Sequence, residues 1–228
     1  MMQQLEVDML RRLSFLQYMT DAELDGLREI AQLYTFEPGE FLCYEGDAVE
    51  HCHLLIKGHL RVFSHSLSGR KVVLNFIYPG EFVGPLTALL DRPSTSTIQA
   101  ICHSTTLGIQ TEDLNRYMIT HPNFAVQMNK VLASIVRQLY HRIVDLVGLN
   151  AVQRVAKTIY ILSAKCGGNV PYTREDVASL AETSVETVIR VVRRLKEAGI
   201  VDCATRQIIV LSETRLKQVI EGNTRIEY

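Results

Sequence analysis

Nowhere in the 228 residues does an apolar run approach the roughly 20 that a membrane-spanning helix needs, so no membrane partner is expected. The opening MMQQLEVDMLRRL has no continuous apolar stretch followed by a small-residue cleavage site. A secretory leader is therefore not expected, and the expected location is cytoplasmic. The five cysteines, Cys43, Cys52, Cys102, Cys166 and Cys203, are odd in number and form no C-x-x-C pair. That fits reduced thiols, mostly buried or incidental, better than a disulfide framework. Also missing are H-E-x-x-H, G-x-S-x-G and a Walker loop, so the chain is not expected to be an enzyme. There is no internal repeat and no low-complexity tract.

Net charge is nearly absent as well, at −1, but the balance hides an asymmetry. Met1 to Asn150 carries 12 basic against 16 acidic side chains, whereas Ala151 to Tyr228 carries 12 against 9. A basic C-terminal third on an acidic body suggests an anionic partner for the smaller part. The 47% hydrophobic content is ample for packed cores in one large domain or two modest ones.

What is present falls into three stretches. Residues 1 to about 30 have helical spacing, with Met9, Leu13 and Leu16, then Leu24, Leu27 and Ile30, and Thr20 placed to cap DAELDGLREI. From Leu33 to about Gln110, β-rich runs (HCHLLIKG, HLRVFSH, KVVLNFIY, TTLGIQ) alternate with Gly39, Gly46, Gly58, Gly69, Gly80 and Gly84. This is the punctuation of a small antiparallel barrel or roll, and no helical pattern separates the strands. Helical spacing returns after THPNF. Met128, Leu132, Ile135, Leu139 and Leu146 step as a heptad seam interrupted by Arg142, beside a second stripe of Val136, Tyr140, Ile143 and Val147. One stripe can cover the β-roll and the other can face a copy of itself; the Met128 to Leu146 seam is assigned to the dimer interface. The alternative is that both stripes bury within one monomer. Gly148 to Asn150 is a candidate hinge, followed by a helix AVQRVAKTIYILSAK and the loop CGGNVP.

In YTREDVASLAETSVETVIRVVRRLKEAGIV, Thr173 and Asp176 have the spacing of a capping box that opens a short helix, Arg174 to Ala181. Ser184 caps a second helix running to Ala198, and Gly199 stops it. Two helices joined by about three residues make a helix-turn-helix. Val177, Leu180, Val188, Val191, Val192 and Leu195 supply the contacts, with Ala178 at the close approach. Val185, Glu186, Ile189 and Arg190 then point outward. Arg can donate a bidentate pair to guanine O6 and N7, and a carboxylate can accept from cytosine N4. Thr173, Arg174, Ser184 and Thr187 lie near helix N-termini and suit phosphate oxygens, while Arg193, Arg194 and Lys196 add positive potential. A merely solvated amphipathic helix does not account for the caps, the turn and the basic flank together. Glu182 stands in the turn where Gly is common, so a non-Gly residue is expected at positive φ, at a cost of about 1 kcal/mol.

PGEFLCYEGD, LLIKGHLRV, YPGEFVGPLTALL and TSVETVIRVVRRLKEAGIV together resemble the CRP/FNR family of bacterial transcription regulators over nearly the whole chain. The resemblance implies an α+β fold: an N-terminal antiparallel, jelly-roll-like β-roll that senses an effector (1–122), a long dimerisation helix (123–148) and a C-terminal winged helix-turn-helix domain (149–228). VETVIR is similar to the FNR-type recognition helix, V-E-T-[IV]-S-R. By that resemblance Glu186 and Arg190 read a C and a G in a TGA-like core, while Ser184 and Thr187 contact phosphates. Ile189 replaces a usually small or polar residue, which leaves the outer base of the half-site open. The family also implies a homodimer on double-stranded DNA, with pseudo-palindromic half-sites about one helical turn apart, and RNA polymerase as a partner.

The effector stays open. In the cyclic-AMP-binding branch the corresponding segment reads G-E-L followed by an R-S pair. Here GPLTALLDRPSTSTIQA puts Pro85 at the Glu position and Ser94 at the Arg position, in a loop one residue shorter. Leu139 and Tyr140 replace small hydroxyl residues that contact the base. A buried cyclic phosphate without a cationic partner pays a large desolvation penalty, so cyclic AMP is not expected. Nor is an FNR-type iron–sulfur cluster, because Met1 to Leu42 contains no cysteine. The expected pocket is Gly84, Pro85, Leu86, Ser94, Thr95, Leu139 and Tyr140, mostly apolar with hydroxyl donors. Haem on His51, Cys52 and His53, or on His103, His121 and His141, is an alternative, but strand alternation in EHCHLL puts Cys52 inward and both histidines outward. Surface histidines are the first reading, and no metal ion is assigned. Further alternatives are thiol sensing through Cys102, a redox or haem enzyme whose C-terminal helices serve assembly, and a regulatory module for a protein partner.

Overall fold

Eight short strands with a glycine at nearly every reversal form the first half of the chain. The structure is a computed structural model that describes residues 13, 15–170, 172–204 and 207–223. Of the expected helical stretch over residues 1 to about 30, residues 1–12 and 14, Met9 included, lie outside these; the rest is a single 3-10 turn, Leu16–Tyr18, followed by a helix from Asp21. Helix α1 (Asp21–Ile30) starts at a capping box: the Glu23 amide donates to Thr20 Oγ1 at 3.3 Å, and the Thr20 amide donates to Glu23 Oε2 at 2.8 Å. The strands follow as β1 (Ala31–Phe36), β2 (Phe41–Cys43), β3 (His51–Lys57), β4 (Leu60–His65), β5 (Lys71–Ile77), β6 (Phe82–Val83), β7 (Thr97–Ala100) and β8 (Ser104–Gln110). They form two antiparallel sheets in the orders β1-β8-β3-β6 and β2-β7-β4-β5. Gly58 turns β3 into β4 at φ 93°, where a Cβ would sit 2.7 Å from the His103 carbonyl oxygen, so only glycine fits.

Alternation gives the first sheet two unlike faces, both covered. Cys52, Leu54 and Ile56 of β3, with Leu107 and Ile109 of β8, join a core with α1, α3 (Thr111–Thr120) and α4 (Pro122–Gly148). On the other face Leu55 and Val83 meet Leu60, Ile77, Ile98 and Ala100 from the second sheet. Two helices were not expected among the strands' surroundings. Short α2 (Pro85–Leu90) follows β6, with Pro85 at its first position, where the missing amide costs nothing. Helix α3 begins without a side-chain cap, so it lacks a start signal.

Helix α4 is 27 residues long and continuous, with no Gly or Pro between Pro122 and Gly148. The described residues up to Arg137 form one compact unit and those from Gln138 on a second. The division therefore falls within α4, whereas the sequence reading placed boundaries at its ends. Phe124 and Met128 are fully buried in the core of the first unit, while Asp145, near the other end, pairs with Lys157 at 2.6 Å in the second. This corrects the assignment of Met128 to a dimer interface: its side chain is used up inside the monomer. Leu132 and Ile135 are half-buried, and Leu139 and Leu146 are exposed. The open face carries Val136, Leu139, Tyr140, Ile143 and Val147, which is mainly the second stripe.

The second unit continues with α5 (Ala151–Lys165), β9 (Asn169–Val170), α6 (Arg174–Leu180), α7 (Val185–Glu197), β10 (Val201–Ala204), β11 (Gln207–Val210) and α8 (Glu213–Ile220). Asn150 caps α5 in a capping box with Gln153. The strands pair antiparallel in the order β10-β11-β9 and supply the wing beside the helices. Among the described residues no helix is long and apolar enough to cross a membrane.

Candidate nucleic-acid interface

Both helices of the motif begin at side-chain caps. The Asp176 amide donates to Thr173 Oγ1 at 3.2 Å and the Thr173 amide to Asp176 Oδ2 at 3.1 Å, which closes the capping box at α6. The Thr187 amide donates to Ser184 Oγ at 3.2 Å and starts α7. Val177, Ala178, Val188, Val191, Val192 and Leu195 are buried, so they fix the angle between the helices; Leu180 is half-buried. Glu182 sits in the turn at φ 49°, the left-handed region.

The other face of α7 is open. Glu186, Ile189, Arg190 and Arg193 are exposed at spacings of three, four and seven from Glu186, which places them in one row. Val185 and Thr187 are half-buried beside them, and Thr173, Arg174 and Ser184 lie at the helix starts. Hydrogen bonds from its own backbone amide and from the Ser184 hydroxyl hold the Glu186 carboxyl below the usual carboxylate range. It is therefore an ionised acceptor at neutral pH. Arg193 makes only a loose 3.5 Å pair with exposed Glu197, one that a phosphate oxygen can replace. The Arg174 guanidinium is 3.4 Å from Cys203 Sγ on β10, which ties the start of α6 to the wing.

A clamp at the turn was missed in the sequence. Arg154 of α5 donates Nε to the Ala181 carbonyl at 2.9 Å, Nη2 to the Glu182 carbonyl at 3.2 Å and Nη1 to the Leu149 carbonyl at 2.8 Å. It thereby satisfies carbonyls that the ends of α6 and α4 leave open. Arg142, in the last turns of α4, pairs with Glu182 Oε1 at 3.1 Å. The signal was the polar interruption of the heptad seam at Arg142. The partner itself lies 40 residues away and carries no local mark.

The expected effector residues are only partly gathered. A cavity of about 190 Å³ inside the roll is lined by Gly84 and Ser94, together with Cys43, Glu50, His51 and His53. Pro85 is instead buried at the start of α2, and the helix turn carries Leu86 outward. Thr95 is exposed, and Leu139 and Tyr140 are exposed on the part of α4 that belongs to the second unit. None of these five lines the cavity.

The histidine reading also needs correction. Because helices cover the other face of the first sheet, Cys52 points at them, with its thiol donating to the Val83 carbonyl at 3.4 Å. His51 and His53 point into the roll. His51 Nε2 hydrogen-bonds Tyr34 Oη at 3.1 Å, and His53 Nδ1 hydrogen-bonds Thr106 Oγ1 at 3.0 Å. Burial, reinforced by neighbouring His51, pushes the His53 pKa down to about 4, so the ring is neutral at pH 7. Cys52 and the two histidines thus face opposite sides of β3 and cannot share a haem iron. Elsewhere His103 pairs with Glu37 at 3.1 Å and His121 stacks on Tyr117 at 3.8 Å, while His141 is exposed. Among the described residues no three His, Cys, Asp or Glu side chains are grouped to hold a metal ion.

Comparison with known proteins agrees with both halves. Residues 33–121 match the cyclic nucleotide-binding domain, and residues 153–219 match the Crp-like helix-turn-helix domain. The chain is 22% identical to the CRP-like cAMP-activated global transcriptional regulator of Mycobacterium tuberculosis, over 92% of this chain and 97% of that one. It is 24% identical to the transcriptional activator protein Anr of Pseudomonas protegens, covering 88% and 86% of the two chains. Among solved structures, FixK2 from Bradyrhizobium japonicum superposes with a TM-score of 0.75 at 20% identity, over 83% of this chain and 96% of that one. An antiparallel roll, a long helix and a capped helix-turn-helix with its basic outer row define a DNA-binding regulator and not an enzyme. The chain belongs to the CRP/FNR family of transcription regulators.

Proposed function

We propose that two copies of the chain pair along α4 and set two α7 helices into successive major grooves of a pseudo-palindromic site with a TGA-like core. Glu186 accepts from a cytosine N4 and Arg190 donates to a guanine, while Ser184, Thr187, Thr173, Arg174 and Arg193 hold phosphates. The observation that carries this reading is the exposed row Glu186, Ile189, Arg190 and Arg193 on a helix whose opposite side is fully packed. The apolar row Val136, Leu139, Tyr140, Ile143 and Val147, open on one copy, supports the pairing. The cytoplasm is the place of action and RNA polymerase the further partner.

Control comes from an effector held in the roll cavity, and that effector is not cyclic AMP. Ser94 stands where a phosphate-binding arginine is needed; its hydroxyl instead donates to the Ser96 carbonyl at 2.7 Å. Sedimentation of the protein with and without a duplex carrying two half-sites tests the pairing. The expected complex holds two chains per duplex and weakens when the half-site spacing is changed by half a helical turn. One chain per duplex, indifferent to spacing, would refute the dimeric reading.

A further inference from the structure

The effector pocket reading leaves the ligand without a chemical class, and the lining of the roll cavity supplies one. None of the residues that line it is lysine or arginine. Its polar members are the carboxylates of Asp47 and Glu50, both on exposed residues, together with the imidazoles of His51 and His53, the Cys43 thiol and the Ser94 hydroxyl. Burial keeps His53 neutral, so it does not offset the carboxylates at neutral pH, and raises the Cys43 thiol above its usual range, so it adds no charge of its own. Asp47 already accepts the Tyr44 amide at 2.8 Å, whereas the Glu50 carboxylate has no partner among the described residues. Arg92, a nearby cation in sequence, lies exposed on the loop after α2 and does not line the cavity. At about 190 Å³ the space is also smaller than the roughly 300–1,000 Å³ of pockets for drug-sized ligands.

We propose, resting on the effector-pocket reading, that the roll cavity excludes anions and takes a small organic cation bearing N–H donors, an amine or a guanidine. Glu50 and Asp47 meet its charge, the His51 and His53 rings accept or shape around its N–H groups, and Leu42, Val49, Val83 and Ile98 enclose its carbon skeleton. The same wall repels a phosphate or a carboxylate.

Cys43 is a reporter already in place, since its Sγ lies 3.7 Å from Ser94 Oγ on the cavity wall. The full-length protein is treated with aminoethyl, sulfonatoethyl or methyl methanethiosulfonate. In each case the Cys43 thiolate displaces methanesulfinate and forms a mixed disulfide, read by mass spectrometry of the Cys43 peptide. Each rate is divided by the rate of the same reagent with mercaptoethanol. The expected result is that the cationic reagent exceeds the anionic one by about tenfold or more, as in a cleft lined by one sign of charge. The ratio should fall toward unity in Asp47→Asn/Glu50→Gln, with the methyl reagent unchanged as a control for folding. Equal rates or a faster anionic reagent would overturn the charge class while leaving the pocket. No labelling even by the methyl reagent would overturn the pocket reading and this inference with it.

Discussion

Arg154→Ala removes three hydrogen bonds at once, to the carbonyls of Leu149, Ala181 and Glu182. A bond from a charged donor is worth about 1.5–3 kcal/mol, so three independent ones would total roughly 5–9 kcal/mol. They are not independent, because one guanidinium makes all three. Glu182 also lies on an exposed turn, where water takes over as donor when the guanidinium is lost. The expected cost is therefore about 2–3 kcal/mol, concentrated in the unit that begins at Gln138. Urea unfolding followed by the helical circular-dichroism signal measures it, with Arg142→Ala as the comparison. Arg142 and Glu182 are partly exposed side chains, and that pair is worth at most about 1 kcal/mol. Arg154→Lys should recover less than half of the loss, since an ammonium cannot match a planar fork of donors. A shift below about 0.5 kcal/mol for Arg154→Ala would refute the clamp and leave the turn held by the α6–α7 core alone.

Two further outcomes are expected. Glu182→Gly relieves about 1 kcal/mol of left-handed strain and gives up the ion pair, so stability stays within about 1 kcal/mol of the parent. A double-mutant cycle with Arg142→Ala should show a coupling of about 0.2–1 kcal/mol, and additive effects would mean that the pair contributes nothing. His53 is held neutral in the fold with a pKa pushed down to about 4, below its value of about 6.5 when unfolded. Between these values the unfolded chain binds the extra proton, so stability falls as pH drops from about 6.5 to about 4, by at most roughly 1.4 kcal/mol per pH unit from this group. His53→Gln should flatten that slope; an unchanged slope would show that His53 is not the group responsible.

The helix-turn-helix was legible because its signals are local. Thr173 and Ser184 are caps within three residues of the amides they serve, and the apolar stripe of α7 is dense. The strands were legible from β-branched runs between turn glycines. Helices α2 and α3 were not, since one is six residues long and the other opens without a cap. Alternation in EHCHLL separates Cys52 from the two histidines, yet it cannot say which side is which when helices cover one face of the sheet and a second sheet covers the other. Met128 shows the same limit: a heptad step does not reveal whether a partner helix or the roll lies opposite. The pair Arg142–Glu182 and the Arg154 fork join segments far apart in sequence, so nothing local announces them.

Selection of bound duplexes from a random library, run in parallel with the wild type and Arg190→Ala, tests the reading of DNA most directly. The account predicts that the wild type enriches a two-fold-symmetric site with one G·C pair required in each half, and that Arg190→Ala loses that requirement at a cost of about 1–3 kcal/mol per contact. An unchanged requirement at that pair, or affinity lost equally on selected and random DNA, would contradict it.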